Sequence, residues 1–262
     1  MKIVFLGDVV AKSGRRVVKK YINTLKEKYQ CDIFIVNGEN AAGGIGITKE
    51  TAEELFFVGV DIITTGNHVW KHKEAHSYLE QNSNKIIRPL NYPNSKNFTV
   101  PGSGYTIFKS NAGSIVVINI LGRTFLESVD NPFLKVEELL DKLKEYKIKI
   151  IDFHAETTSE KVAMGWFLDG KVSAVVGTHT HVQTSDERIL PNGTAYITDL
   201  GMCGAIESVI GVDKDIIIQK FTTGLPVSFK FPESSAAISG VFIDIDDNTG
   251  KAKKIERIYI GE

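Results

Sequence analysis

Short apolar runs recur along the chain, and several are followed by stretches in which apolar positions return every three to four residues. Lys2–Asp8, Asp32–Val36 and Asp61–Thr65 are runs dense in Ile, Val and Phe, which predict buried strands. Between the first two, Gly14–Gln30 places Val17, Val18, Ile22 and Leu25 on one side and many lysines on the other. That pattern predicts an amphipathic helix. Thr48–Val58 predicts a second helix, with Thr48 as its N-cap. The order strand–helix–strand–helix–strand implies a parallel sheet with right-handed crossovers.

The later chain continues in kind with more antiparallel content. Ser114–Leu121 and Lys147–Phe153 read as strands, separated by a helix near Pro132–Tyr146 with proline in its first turn. Thr157 and Glu160 have capping-box spacing and open a helix running to about Leu168. Val172–Gly177 and Thr194–Asp199 read as strands. Gly240–Ile245 and Lys254–Ile260 flank Asp247-Asn248-Thr249-Gly250, a hairpin signal. Asn91–Gly104, with two prolines and two glycines, reads as a loop. No repeat and no linker divides the sequence, so residues 1–262 are expected to form one α/β domain.

Composition narrows the classes. The hydrophobic set makes up 42% and net charge is −1, which excludes disorder as the main state. With Lys plus Arg at 31 against Asp plus Glu at 32, no basic excess exists to neutralise a long nucleic acid. The longest apolar runs, such as Ile3–Leu6 and Ile115–Ile118, are four residues, whereas a membrane span needs about twenty. Cys31 and Cys203 are the only cysteines, too few for a disulfide framework, which points to a reducing cytoplasm. Nothing in the pattern encodes oligomeric state, and a homo-oligomer stays open.

Polar residues then change the picture. Predicted strands end in Asp8, in Glu39-Asn40, in Asn67-His68, in His154, and in His179 with His181. Parallel strands present their carboxyl ends at one edge of a sheet, where sites form. The set offers oxygen and imidazole donors without thiolate, which suits first-row transition metals. Seven donor groups exceed the needs of one ion and suit two, with Glu39, central in the set, as the bridge. Two divalent ions, two carboxylates and a bridging hydroxide would leave one positive charge for a phosphate ester.

Taken singly, these residues have plain alternatives. Asp8 could cap the following helix, and Asn40 could be a turn residue. His154 could be a satisfied core histidine, and His179 and His181 could share a period-two face buried against backbone. Jointly, these readings need independent accidents at five strand ends.

Asp8, Gly66-Asn67-His68 and Gly177-Thr178-His179-Thr180-His181 resemble the motif series of the calcineurin-like metallophosphoesterases. The chain is most similar to the YmdB-type branch, through Met1–Asp8, Asn37–Gly44, Thr65–Trp70, Asp152–Glu156 and Gly177–Gln183, in order. It departs from the broader superfamily at Val10, where a histidine is common, and at Glu39, where an aspartate is common.

The resemblance implies a two-sheet sandwich flanked by helices. It implies that Asp8, Asn40 and His181 hold one metal, that Asn67, His154 and His179 hold another, and that Glu39 joins both. It implies His68 as the group that protonates the leaving oxygen or binds phosphate. It further implies two divalent transition metal ions, Fe or Mn, and hydrolysis of small phosphate esters, above all 2′,3′-cyclic nucleotides. Rival readings are a phosphomonoesterase or ribonuclease on the same site, and a signalling protein that binds a nucleotide without turnover.

Other features read as structural. His72 and His76 are expected on a solvated helix, Cys203 as a small buried apolar group, and Trp70 as a packing residue. Glycines 43, 44 and 46 match no phosphate-loop pattern and are expected to let backbone pass close to the pocket.

Overall fold

The computed structural model describes all 262 residues. Two six-stranded sheets face each other. The first contains β1 (Lys2–Val9), β2 (Ile33–Asn37), β3 (Ile62–Thr64), β10 (Met202–Ala205), β11 (Ala236–Ile245) and β12 (Ala252–Gly261), in the order β12-β11-β10-β1-β2-β3. The second contains β4 (Tyr105–Ser110), β5 (Gly113–Leu121), β6 (Ile148–His154), β7 (Ala174–Thr178), β8 (Arg188–Ile189) and β9 (Ala195–Ile197), in the order β4-β5-β6-β7-β9-β8. β1, β2 and β3 run parallel, as do β5, β6, β7 and β9.

The two-residue period of a strand divides the core into layers. In β1, Ile3 and Phe5 join Ile33, Ile35, Ile115, Ile150 and Ile243 between the sheets. Their neighbours Val4 and Leu6 face the other way, with Phe34 and Val36, onto α1 (Ala11–Tyr29), α2 (Lys49–Phe57) and α3 (Glu74–Gln81). In β6, Ile148 and Ile150 point inward, while Ile151 and Phe153 pack on α4 (Pro132–Lys142) and α5 (Thr158–Leu168). The expected two-sheet sandwich with helices on both outer faces is therefore present. No helix is long and apolar enough to cross a membrane.

Local expectations fare unevenly. Thr48 caps α2 in a reciprocal box with Thr51. The hairpin joining β11 and β12 forms around Asp246–Lys251. The Thr157–Glu160 box does not form, because the Glu160 carboxylate accepts instead from the Arg123 and Thr124 amides at 2.9 and 3.2 Å. α4 stops at Lys142, short of Tyr146. Asp8 caps nothing; the N-cap of α1 is Val10. His72 lies before α3, half-buried, with Nε2 2.9 Å from the Ile45 carbonyl, and only His76 is on the helix. Trp70 packs edge-on against Tyr92 and His76, and burial pushes the Cys203 thiol up to about 12.

Candidate metal centre

The carboxyl ends of five parallel strands meet at the seam between the sheets. β1 delivers Asp8, the turn after β2 delivers Glu39 and Asn40, and the turn after β3 delivers Asn67 and His68. From the facing sheet, β6 ends at His154, and the turn after β7 carries His179 and His181. Below them, Asn37 of one sheet donates to the Asp152 carboxylate of the other at 3.0 Å, a buried polar bridge that ties the two sets together.

The seven predicted donors form one connected cluster. His154 Nε2 stands 3.1 Å from Asn67 Oδ1, 3.1 Å from Glu39 Oε1 and 3.0 Å from His179 Nδ1. Glu39 Oε1 is 3.2 Å from Asn40 Nδ2, which is 3.1 Å from His181 Nε2. His181 Nε2 is 3.8 Å from Asp8 Oδ1. That oxygen is buried and has no hydrogen-bond partner. Donor atoms of Glu39, His154 and His179 all lie within 4.8 Å of one another. Gly66 completes the cradle, since a Cβ there would collide with both Glu39 Oε2 and His154 Nε2.

Each of the three clustered imidazoles has its other nitrogen at a hydrogen-bond acceptor. The Thr178 hydroxyl donates to Asp152 at 2.7 Å, so its oxygen accepts from His154 Nδ1–H at 2.8 Å. His179 Nε2–H donates to the Glu156 carboxylate at 2.9 Å. His181 Nδ1–H donates to the Ile210 carbonyl at 2.8 Å. With the far nitrogens so engaged, His154 Nε2, His179 Nδ1 and His181 Nε2 are the atoms turned toward the cluster, the arrangement that orients histidine ligands around a metal once those atoms are deprotonated. His68 differs. Its Nδ1 lies 2.9 Å from Asn40 Oδ1, its backbone N–H donates to Glu39 Oε2 at 3.2 Å, and its ring is 37% exposed, open to the pocket.

Electrostatics follow from burial and proximity. Burial pushes the Asp8 carboxyl up to about 6, although His181 and His154 pull the other way. Burial also raises Glu39, but the imidazoles of His154 and His68 outweigh it and hold Glu39 well below the usual carboxylate range. Burial lowers His154, yet Glu39, Asp8 and Asp152 outweigh it and push His154 up to about 9. Burial, reinforced by the charge on His154, pushes His179 down to about 3. Buried donors of this kind, unequally matched by protons, are suited to a multivalent cation.

Glu156, Thr178 and Ile210 were not singled out from sequence, though each fixes an imidazole. Glu156 closes the Asp152–Glu156 motif, two residues after His154, and that nearness is its only signal in the sequence. The positive φ of His179 (102°) and His181 (64°) was also hidden, and it bends the chain there, so the alternative of a shared period-two face does not hold.

The two-sheet α/β sandwich is the fold of the calcineurin-like phosphoesterases. The calcineurin-like phosphoesterase YfkN from Bacillus subtilis shares this fold, with a TM-score of 0.56 at 12% identity, over 100% of this chain and 90% of that one. More narrowly, the chain belongs to the YmdB-like protein family, which matches residues 4–258. It is 51% identical over 263 residues to the 2′,3′-cyclic-nucleotide 2′-phosphodiesterase of Bacillus subtilis (strain 168), covering 100% of this chain and 98% of that protein. It is 41% identical, with a TM-score of 0.92, to a novel phosphatase from Mycoplasma pneumoniae, covering 100% of this chain and 93% of that one.

Proposed function

We propose that this protein is a metal-dependent phosphodiesterase that hydrolyses small phosphate esters, first among them 2′,3′-cyclic nucleotides. The observation that carries this reading is the triple orientation of His154, His179 and His181, each fixed by an acceptor on its far nitrogen. The half-identical relative named as a 2′,3′-cyclic-nucleotide 2′-phosphodiesterase supports the substrate class.

In this reading Asp8, Asn40 and His181 would hold one divalent ion, Asn67, His154 and His179 would hold a second, and Glu39 would serve both. The oxygen- and imidazole-rich set without thiolate favours Fe or Mn. When bound, such a pair supplies water activation and screens phosphate charge.

The chain's own part is to position the ester and move one proton. Ligation by Asn40 Oδ1 requires its amide turned over, which leaves the heavy-atom positions unchanged. Nδ2 then donates to His68 Nδ1, and the His68 proton sits on Nε2. There it serves the departing ribose oxygen, a task suited to imidazole near neutral pH. Residues 1–262 act as one domain in the cytoplasm; the hydrophobic layer shared by both sheets and the two free cysteines support this.

The test is metal content and turnover of 2′,3′-cyclic AMP by wild type, Glu39→Ala and His68→Ala. Glu39→Ala loses metal and activity together. His68→Ala keeps its metal and loses about 10²–10⁴-fold in turnover. Full turnover by Glu39→Ala would defeat the bridging role, and metal loss in His68→Ala would make His68 a ligand. Parallel rates on a phosphomonoester and a short oligonucleotide separate the rival hydrolases. Nucleotide binding without any turnover would favour a signalling role.

A further inference from the structure

One cavity, of about 310 Å³, combines two chemistries. Its polar end is Glu39, Asn40, His68, His179 and His181 of the cluster already described, with Glu156 and Thr180 beside them. Its other end is Ile45, Ile210, Val212, Phe229 and Phe231, beside Gly44. The two ends are mechanically joined, because the carbonyl that fixes His181 belongs to Ile210. The segment carrying Phe229 and Phe231 is anchored by the Asp213 amide, which donates to the Lys230 carbonyl at 2.8 Å.

Phe231 is held in a defined pose. A Cβ on Gly44 would overlap Phe231 Cζ, Cε1 and Cε2 together, so one face of the ring lies flat on the Gly44 backbone. Gly44 has φ +88°, where a side chain is strained in any case. With that face taken, Phe231 lines the cavity with the rest of its ring.

A phosphodiester seated at the polar end must place whatever it carries against this apolar wall. We propose that the wall is a nucleobase subsite in which Phe231, backed by Gly44 and flanked by Phe229 and Ile210, stacks on the base of the substrate. This assignment rests on the phosphodiesterase reading and deepens it. The occupant is a planar aromatic base, because it is the flat, weakly polar part of a nucleotide and a fixed aromatic ring is the group that holds it. The apolar side chains carry no donor or acceptor, and the Glu156 carboxylate and Thr180 hydroxyl that also line the cavity are engaged by His179 and Asp199, so adenine, guanine, cytosine and uracil should be accepted within about tenfold of one another.

The experiment compares metal-loaded wild type, Phe231→Leu and Phe231→Tyr on two five-membered cyclic diesters, 2′,3′-cyclic AMP and base-free glycerol 1,2-cyclic phosphate. Phe231→Leu should lower kcat/KM for cyclic AMP by about 5- to 100-fold, mainly through KM. It should leave the base-free diester within about twofold, and Phe231→Tyr should restore the cyclic AMP value.

Equal losses on both diesters, or none on either, would overturn the subsite while leaving the phosphodiesterase reading intact. Altered sedimentation of Phe231→Leu with an unchanged rate ratio would overturn it too, marking the wall as a contact between copies. If wild type turned over neither diester, the phosphodiesterase reading would fall, and calorimetric titration with adenosine would still decide the subsite. Weaker adenosine binding by Phe231→Leu than by wild type supports it; equal or absent binding in both rejects it.

Discussion

At the scale of single residues, the acceptor behind an imidazole matters as much as the imidazole. His179 reaches the cluster through Nδ1 because Glu156 takes its Nε2–H at 2.9 Å. Removing the acceptor frees the ring to rotate and to exchange tautomers. Glu156→Leu should therefore weaken metal binding by about 10–100-fold, with the fold intact. A competitive titration against a chromogenic chelator measures this, and wild-type affinity in the variant would mean Glu156 has no orienting role. Similar logic applies beneath the site. Asp152 fixes His154 indirectly, through the Thr178 hydroxyl, so a residue that never faces the pocket still sets which nitrogen does.

At the scale of elements, the turn after β7 is held in a costly shape by a partner from elsewhere. His179 and His181 both have positive φ, a region that residues other than glycine seldom adopt, although His enters it more readily than most. Between them, Thr180 donates through both its amide (3.1 Å) and its hydroxyl (2.7 Å) to the Asp199 carboxylate. Asp199 is in turn paired with Lys161 of α5 at 2.6 Å, and both are fully buried. One carboxylate thus clamps the turn and neutralises a buried lysine. Asp199→Ala should cost about 3–5 kcal/mol, because it leaves the Lys161 charge unpaired in the interior. Chemical denaturation monitored by circular dichroism gives that figure. Metal affinity in the variant should fall as well, since the turn loses its anchor. A stability change under about 1 kcal/mol would show that Lys161 finds another partner.

At the scale of the whole molecule, the cluster draws on five strands from two sheets and so acts as a fastener between them. A ligand that needs all of these strands in place binds the folded chain and not the unfolded one. Mn or Fe at a hundredfold excess over Kd should add about 2.7 kcal/mol of stability. For a chain of this size that corresponds to about 5–10 °C in Tm. Differential scanning calorimetry with and without metal, then with chelator, reads the shift and its reversal. Loading that leaves Tm unchanged would mean that the folded chain binds the ion no better than the unfolded chain does.

The elements most plainly written in the sequence are those whose residues repeat a period and are buried on both sides. β1, β2, β6 and β7 are dense in Ile, Val and Phe because helices cover one face and the opposite sheet covers the other. Elements that owe their form to neighbours left little trace. β10 is Met202-Cys203-Gly204-Ala205, with no branched residue, and is a strand because it lies between β1 and β11. α6 (Lys214–Thr223) carries three consecutive isoleucines of which only Ile217 is buried, so no helical stripe marks it. β4 and β8 are short or half-exposed and were likewise unmarked, and α3 was marked only as a solvated helix around His76.

The same division holds for the site. Asp8, Glu39, Asn40, Asn67, His68, His154, His179 and His181 were legible because chemically distinctive side chains stand where apolar runs stop, a local fact about order along the chain. Their approach to within a few ångströms was not local. It depended on two sheets twisting to bring five carboxyl ends to one seam, over sequence distances that no spacing rule spans. The orientation of each imidazole, the turn clamped by Asp199 and the aromatic wall of Phe231 belong to that second kind. They arise from which atoms meet in space, and only the folded chain decides that.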